Sequence, residues 1–330
     1  MQTTTFTPRP PSRSARFAAS SARALWPLEH VIPDGRFGVA FSRTFVSALM
    51  AAVGRPAPGV AVEPVDLRSR EHGRIKGEWA RPAQDSGDGV VLYIHGSGYN
   101  LCSTRTHRGL VTRIAAGSGL PVFSTEYRLA PEHVFPAAAD DIGRAYAWLL
   151  AQGWTPDRIL VAGDSAGGHL TLDLALELLR QGRELPAGLV MLSPLADPSF
   201  EIARRRAEIM PDPFITATLA KRIVDRYVAG TDYAHPRLTH VVAAHEALPP
   251  TLIQAGGAEF LAADAHHIAD MLAASGTDVR LEIWPGQMHV FQALARISPE
   301  ADVAVRRICR FMTTTLRERA ASAAASEVTA

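Results

Sequence analysis

The feature that most constrains this chain is a rhythm of short apolar runs separated by stretches of helical periodicity. Val90 to Ile94 is apolar at every position, as a strand buried on both faces should be. Runs of the same kind recur at Pro121 to Ser124, Ile159 to Ala162, Leu189 to Leu192, Leu252 to Ala255 and Val279 to Ile283. Helical spacing fills the intervals at Ala145 to Leu150, Leu170 to Leu179, His267 to Ala274 and Val303 to Leu316. Alternation of this kind predicts an α/β fold, a mostly parallel central sheet with helices on both faces. Ahead of it, alternation over Val60 to Leu67, a turn at His72-Gly73 and a second run over Arg74 to Ala80 predict a β-hairpin. The sheet should therefore begin antiparallel. A chain of 330 residues, 47% hydrophobic, has the material for one such domain.

Two segments interrupt the rhythm. Phe37, Phe41, Phe45 and Leu49 recur every four residues, with Val46 and Met50 beside them, and define an apolar helix face that stops at Gly54, Pro56 and Pro58. Pro194 to Pro249 carries no clear strand, but Leu219, Ile223 and Tyr227, with Val224 and Val228, have helical spacing. A helical insertion in an α/β sheet commonly covers the site, and its Phe200, Met210, Phe214 and Tyr227, with the Phe37 to Met50 stripe, are expected to form one apolar cover that closes the acyl pocket. The predicted layout is one domain over 21–318, with a helical cap from about 21–55 and 195–240 and disordered tails at 1–20 and 319–330. The N-terminal residues, with Arg9, Arg13, Arg16 and Arg23, abundant Ser and Thr and no acid, also resemble a transit peptide. Pro8, Pro10 and Pro11 favour the disordered-tail reading.

A formal net charge of +1 gives no field that would draw nucleic acid or an anionic surface. No apolar run has the length of a membrane span. Cys102 and Cys309 stand far apart, without metal-ligand spacing, and read as thiols in a reducing compartment. The default expectation is a cytoplasmic protein with no metal and no cofactor.

The chemistry concentrates at strand ends. Gly163-Asp164-Ser165-Ala166-Gly167 follows the run Ile159 to Ala162 and opens directly into a helix. So tight a strand-to-helix turn strains its central residue and lifts the Ser165 hydroxyl above the sheet edge. The spacing excludes a dinucleotide loop. His95-Gly96-Ser97-Gly98-Tyr99 follows Val90 to Ile94; a Gly-rich loop there can aim successive amides at one point, as an oxyanion requires. Trp284-Pro285-Gly286-Gln287-Met288-His289 puts a histidine after the last run. His169, beside the elbow but within its helix, reads as packing or as a hydrogen bond that supports the site. An acid must lie between Ser165 and His289 in chain order. Glu259, at the end of Leu252 to Ala255, is favoured. Asp264 is the alternative, although an acid there also suits the N-terminus of the next helix.

These residues resemble the hormone-sensitive-lipase family of bacterial esterases. The likeness covers about Gly89 to Phe291. It rests on the His95-Gly96-Ser97-Gly98 loop, on Tyr127-Arg128-Leu129-Ala130-Pro131-Glu132-His133-Val134-Phe135-Pro136 with Asp140-Asp141, on Gly163 to Gly168, and on Pro285 to His289. The resemblance implies a capped α/β-hydrolase fold that cleaves carboxylic esters, typically short-chain ones, without a cofactor. It puts the catalytic residues at Ser165, Glu259 and His289 and the oxyanion hole at the N–H groups of Ser97, Gly98 and Ala166, with His95, Gly96 and Asp164 as supporting motif positions. This chain departs from the pattern at Ser97, where the family has glycine, and after Glu259, where Phe260 replaces the usual proline. The extra Ser97 hydroxyl would narrow the hole or donate to the oxyanion.

The expected reaction is acyl transfer through Ser165 on a small-molecule ester. A lactone hydrolase or an acyltransferase would use the same groups. A non-catalytic binding protein is the reading from another class, against which the presence of His289 speaks. The oligomeric state stays open, a homodimer included.

Overall fold

The computed structural model describes residues 2–5, 11–24, 35–210 and 212–329. Among these residues, nine strands form one sheet in the order β1-β9-β8-β7-β6-β4-β5-β3-β2. They are β1 (Gln2–Thr5), β2 (Val60–Ser69), β3 (Gly73–Pro82), β4 (Val90–Ile94), β5 (Val122–Thr125), β6 (Ile159–Asp164), β7 (Gly188–Leu192), β8 (Thr251–Gly256) and β9 (Val279–Trp284). The hairpin β2–β3 joins antiparallel to β5, and every other pairing is parallel. The α/β expectation and each predicted strand are thus met, with ends moved by a residue or two.

Strand β4 explains why its sequence is apolar throughout. Val90, Leu92 and Ile94 point into one core, packed with α4 (Ala137–Ala151), α5 (Ala166–Arg180) and α8 (Ala262–Ala274). Val91 and Tyr93 point into the other, with α3 (Thr104–Ser118) and α9 (Pro299–Thr329). Each fully buried Leu, Ile or Val contributes roughly 1.5–3 kcal/mol, so two aliphatic faces per strand hold the sheet between its helix layers. With both faces covered, chemistry is left to the loops at the carboxyl edge.

The other helices lie outside these layers: α1 (Arg13–Ala24), α2 (Arg36–Val53), α6 (Glu201–Ile209) and α7 (Ala217–Val228). α2 is the helix predicted from the phenylalanine spacing, and α6 and α7 occupy the predicted insertion. The expected tails need correction. Residues 2–5 add β1 to the free edge of β9, and α1 begins within the stretch read as disordered. At the other end α9 continues to Thr329, because the Ala-rich composition taken for disorder is also that of the best helix former. The parts of the tail and cap readings at 1, 6–10, 25–34, 211 and 330 lie outside the described residues. No helix among the described residues is long and apolar enough to cross a membrane.

Candidate active site

Ser165 sits between β6 and α5 with φ 53° and ψ −120°, a left-handed conformation that costs a non-glycine residue of order 1–3 kcal/mol. The surroundings hold it there. Its N–H donates to Leu192 O (2.8 Å), and its carbonyl accepts from His169 (3.2 Å) and Leu195 (3.2 Å). The turn fits only because Gly167 carries no side chain: a Cβ there would lie 2.0 Å from Ile94 O.

His289 Nε2 lies 3.0 Å from Ser165 Oγ, and His289 Nδ1 lies 2.5 Å from Glu259 Oε2. An ionised carboxylate can only accept, so Nδ1 carries the proton and Nε2 presents its lone pair to the serine hydroxyl. Glu259 is fully buried. Its Oε1 accepts from Gly256 N (2.6 Å) and from Ser193 Oγ (2.7 Å). Burial disfavours a charged His289, but the Glu259 carboxylate, with smaller contributions from Asp212 and Asp164, outweighs it and holds the imidazole above its ordinary value.

Asp264, the alternative acid, is turned elsewhere. Its Oδ1 accepts from the backbone N–H of Ala196 (2.8 Å) and Asp197 (3.2 Å), and burial pushes its carboxyl up to about 7. It braces the loop after β7 and does not touch His289. A residue that sequence reasoning missed is Ser193, at the end of β7. Its hydroxyl donates to Glu259 and accepts from Val290 N (3.0 Å), joining the acid loop to the histidine loop. Only its place at a strand end could have flagged it.

Among the described residues, the backbone N–H groups of Ser97, Gly98 and Ala166 have no acceptor. Ala166 opens α5, where the first N–H groups of a helix are unpaired by construction. Ser97 and Gly98 have φ of 91° and 61°. Gly98 also lies under α7, where a Cβ would approach Ile223 Cγ2 to 2.5 Å. The Ser97 hydroxyl donates to Cys102 Sγ at 2.7 Å. Burial pushes the Cys102 thiol up to about 11, which leaves no thiolate near neutrality.

The supporting motif residues anchor this loop. Asp164 accepts from Tyr93 Oη (2.7 Å) and lies 3.3 Å from His107 Nε2. Burial alone would raise its carboxyl, but His107 and Tyr93 hold it below the usual range. Gly96 packs against that carboxylate. His95 stacks on Tyr127 (4.4 Å between ring centroids), and its carbonyl accepts from Tyr127 Oη (2.8 Å). The long Tyr127 motif continues as a strap: Ala130 N donates to Tyr99 O, and Phe135 N to Tyr227 O on α7. His169 both packs and bonds: its ring stacks on His240 (4.2 Å between centroids) and its Nε2 is bonded to Leu238 O (2.9 Å).

The apolar cover differs from expectation. Phe200 and Tyr227 are core residues, against Phe260 and Tyr99 respectively. Phe214 does reach the site, its ring 6.2 Å from that of His289. On α2, Phe37 and Phe41 are 89% and 54% exposed, so that end of the stripe is left largely in solvent. A cavity of about 280 Å³ lies between α5, α6 and α8, lined by Leu172, Ile202, His240, Ile268 and Met271. It does not include Ser165.

Residues 91–293 match a family described as the alpha/beta hydrolase fold. The chain is 39% identical over 251 residues to an acetyl-hydrolase of Streptomyces hygroscopicus, covering 74% of this chain and 82% of the relative. It is 34% identical over 272 residues to the carboxylesterase/phospholipase LipF of Mycobacterium tuberculosis, covering 79% and 71%. A crystal structure of an esterase from the bacterial hormone-sensitive lipase family superposes with a TM-score of 0.83 at 32% identity, over 93% of this chain and all of that one. Fold, motifs and relatives agree: the chain belongs to the α/β hydrolases, as a carboxylic ester hydrolase of the bacterial hormone-sensitive-lipase family.

Proposed function

We propose that this enzyme is a serine carboxylesterase working through an acyl-enzyme on Ser165. The observation that carries the reading is the linear relay Glu259–His289–Ser165, at 2.5 and 3.0 Å, beside three unpaired backbone N–H groups. His289 takes the Ser165 proton as Oγ attacks the ester carbonyl, and Glu259 fixes the tautomer and stabilises the imidazolium. The N–H groups of Ser97, Gly98 and Ala166 receive the oxyanion, each donor worth roughly 3–4 kcal/mol of barrier. The tetrahedral intermediate collapses, His289 protonates the departing alcohol, and water repeats the cycle on the acyl-enzyme. Nothing in these steps calls for a cofactor.

The acyl group is short to medium. Phe214 beside His289 supports a pocket of fixed depth, in which each buried methylene adds about 0.8 kcal/mol until the wall is met. We place the optimum near four to six acyl carbons, at roughly the depth where that gain ends. Two free, buried cysteines suit a reducing compartment, which makes the cytoplasm our assignment. The test of the serine is direct. Ser165→Ala should abolish turnover of p-nitrophenyl butyrate, and an organophosphonate should label Ser165 alone. Retention of more than a few per cent of activity by that variant would refute the reading.

A further inference from the structure

The cap and the loop carrying Glu259 are joined by more than apolar packing. From α6, Arg206 reaches down with its Nε donating to Glu259 O (3.0 Å) and its Nη2 to Gly257 O (2.8 Å). Past the end of α6, Asp212 is buried; its Oδ2 accepts from Phe260 N (3.2 Å) and its Oδ1 from Phe214 N (2.7 Å). The backbone on both sides of Glu259 is thus held by side chains of the cap. The rest of the loop is fixed from below, Gly257 N donating to Trp284 O (2.7 Å) and Ala258 N to Gln287 O (2.9 Å), both on the histidine's own segment.

Building on the role of Glu259 proposed above, we infer that Arg206 and Asp212 are positioning residues that couple seating of the cap to the Glu259–His289 contact. The floor contacts fix Gly257 and Ala258, but the carbonyl of Glu259 and the N–H of Phe260 are bonded chiefly to the cap. A cap lifted away takes both partners with it and leaves Glu259 held only from below, by the bonds of its Oε1 to Gly256 N and Ser193 Oγ, so that its backbone can shift and carry Oε2 away from His289. A 1 Å displacement is enough to lose a 2.5 Å contact, and misplacements of that size cost up to about 10²-fold in rate. Arginine suits the role because its planar fork can serve two carbonyls at once, which a lysine ammonium does with less definition. Phe214, bonded to Asp212 and beside His289, links the same hinge point to the substrate side.

The test is a mutant cycle on the full chain with p-nitrophenyl butyrate, active sites being counted by phosphonate labelling. Arg206→Ala should lower kcat by about tenfold or more with KM within about twofold, since the orientation of the base is lost and not substrate contact. Arg206→Lys should recover part of that loss. Arg204→Ala, on the same helix but exposed and paired only with Glu201 among the described contacts, should behave as wild type. In a Glu259→Gln background, Arg206→Ala should cost less than about twofold more, because the group it positions is already disabled. Full additivity there, a loss confined to KM, or an unchanged kcat would overturn the inference. Should Arg206→Ala fail to fold, Asp212→Ala removes the opposite grip and carries the same cycle. A Glu259→Gln variant as active as wild type would bring down the assignment of Glu259 as well, which separates the two failures.

Discussion

The floor of the site and its cover are built to different tolerances. On the floor, Gly167 lies so close to β4 that a single methyl group would collide with the backbone, and His95, Tyr127, Asp164 and His107 interlock in full burial. On the cover, α2 leaves Phe37 and Phe41 largely in solvent, and Ile209 at the end of α6 is 86% exposed. The floor holds the reacting groups to a fraction of an ångström, which acyl transfer requires. The cover has no such demand on it except at two points: Gly98, against which Ile223 rests, and the Arg206–Asp212 grip on the acid loop. The contrast teaches that changes to the floor should reduce turnover of every ester, while changes to the cover should redistribute it among esters.

The largest effect should separate the two buried acids. Glu259→Gln should lower kcat by between about 10² and 10⁴, as loss of an orienting carboxylate does. Asp264→Asn should cost far less, because its amide oxygen still accepts from Ala196 and Asp197. Steady-state kinetics on one short ester decides between them, and the reverse order would move the role to Asp264. Next in size is Gly167→Ala, for which we expect at least about a hundredfold loss on acetate and butyrate alike, since the elbow must shift by an ångström or more. A uniform loss sharpens the contrast; an active, stable variant would break it.

The pH profile gives a smaller and more diagnostic signal. As the proposed general base, His289 would act only when neutral, so kcat/KM should fall as the pH drops through its value in the free enzyme. That value lies above the ordinary histidine value of 6.5, because Glu259, with smaller contributions from Asp212 and Asp164, outweighs burial. Glu259→Gln removes the strongest of the carboxylate contributions that oppose burial, leaving only those of Asp212 and Asp164, so the acid limb of the residual activity should move to lower pH. A limb that stays in place would mean that Glu259 does not set the basicity of His289. The smallest effects belong to the cover. Phe214→Ala should change acetate turnover by less than about threefold while moving the optimum of a two-to-sixteen-carbon ester series to longer chains. Phe37→Ala should change neither. An optimum left in place by Phe214→Ala, or activity in the unaltered enzyme still rising at twelve carbons, would remove the fixed-depth pocket.

The floor was legible in the sequence because its constraints are local. Continuous apolar runs give doubly buried strands, and an elbow between a strand and a helix gives an exposed, strained serine wherever it occurs. His289 and Glu259 could be found because strand ends converge on the carboxyl edge of a parallel sheet. What escaped is whatever depends on where distant segments meet. Ser193 looks like any serine after a strand until Glu259 and Val290 arrive on its hydroxyl. α6 has an unremarkable polar face, and nothing in Arg204-Arg205-Arg206 distinguishes the one that turns inward. The cover was misjudged for a related reason: Phe200 and Tyr227 have the same periodicity whether they line a pocket or pack a helix onto the core.

The central claim, that acyl transfer passes through Ser165, is tested most directly by trapping the intermediate. The enzyme is mixed with a slowly hydrolysed p-nitrophenyl ester, quenched in acid within the pre-steady-state burst, digested, and its peptides weighed. The account predicts one acyl group per active site, carried on Ser165 in the peptide that spans the elbow. Turnover with no acyl adduct, or an adduct on Cys102 or any other side chain, would contradict it.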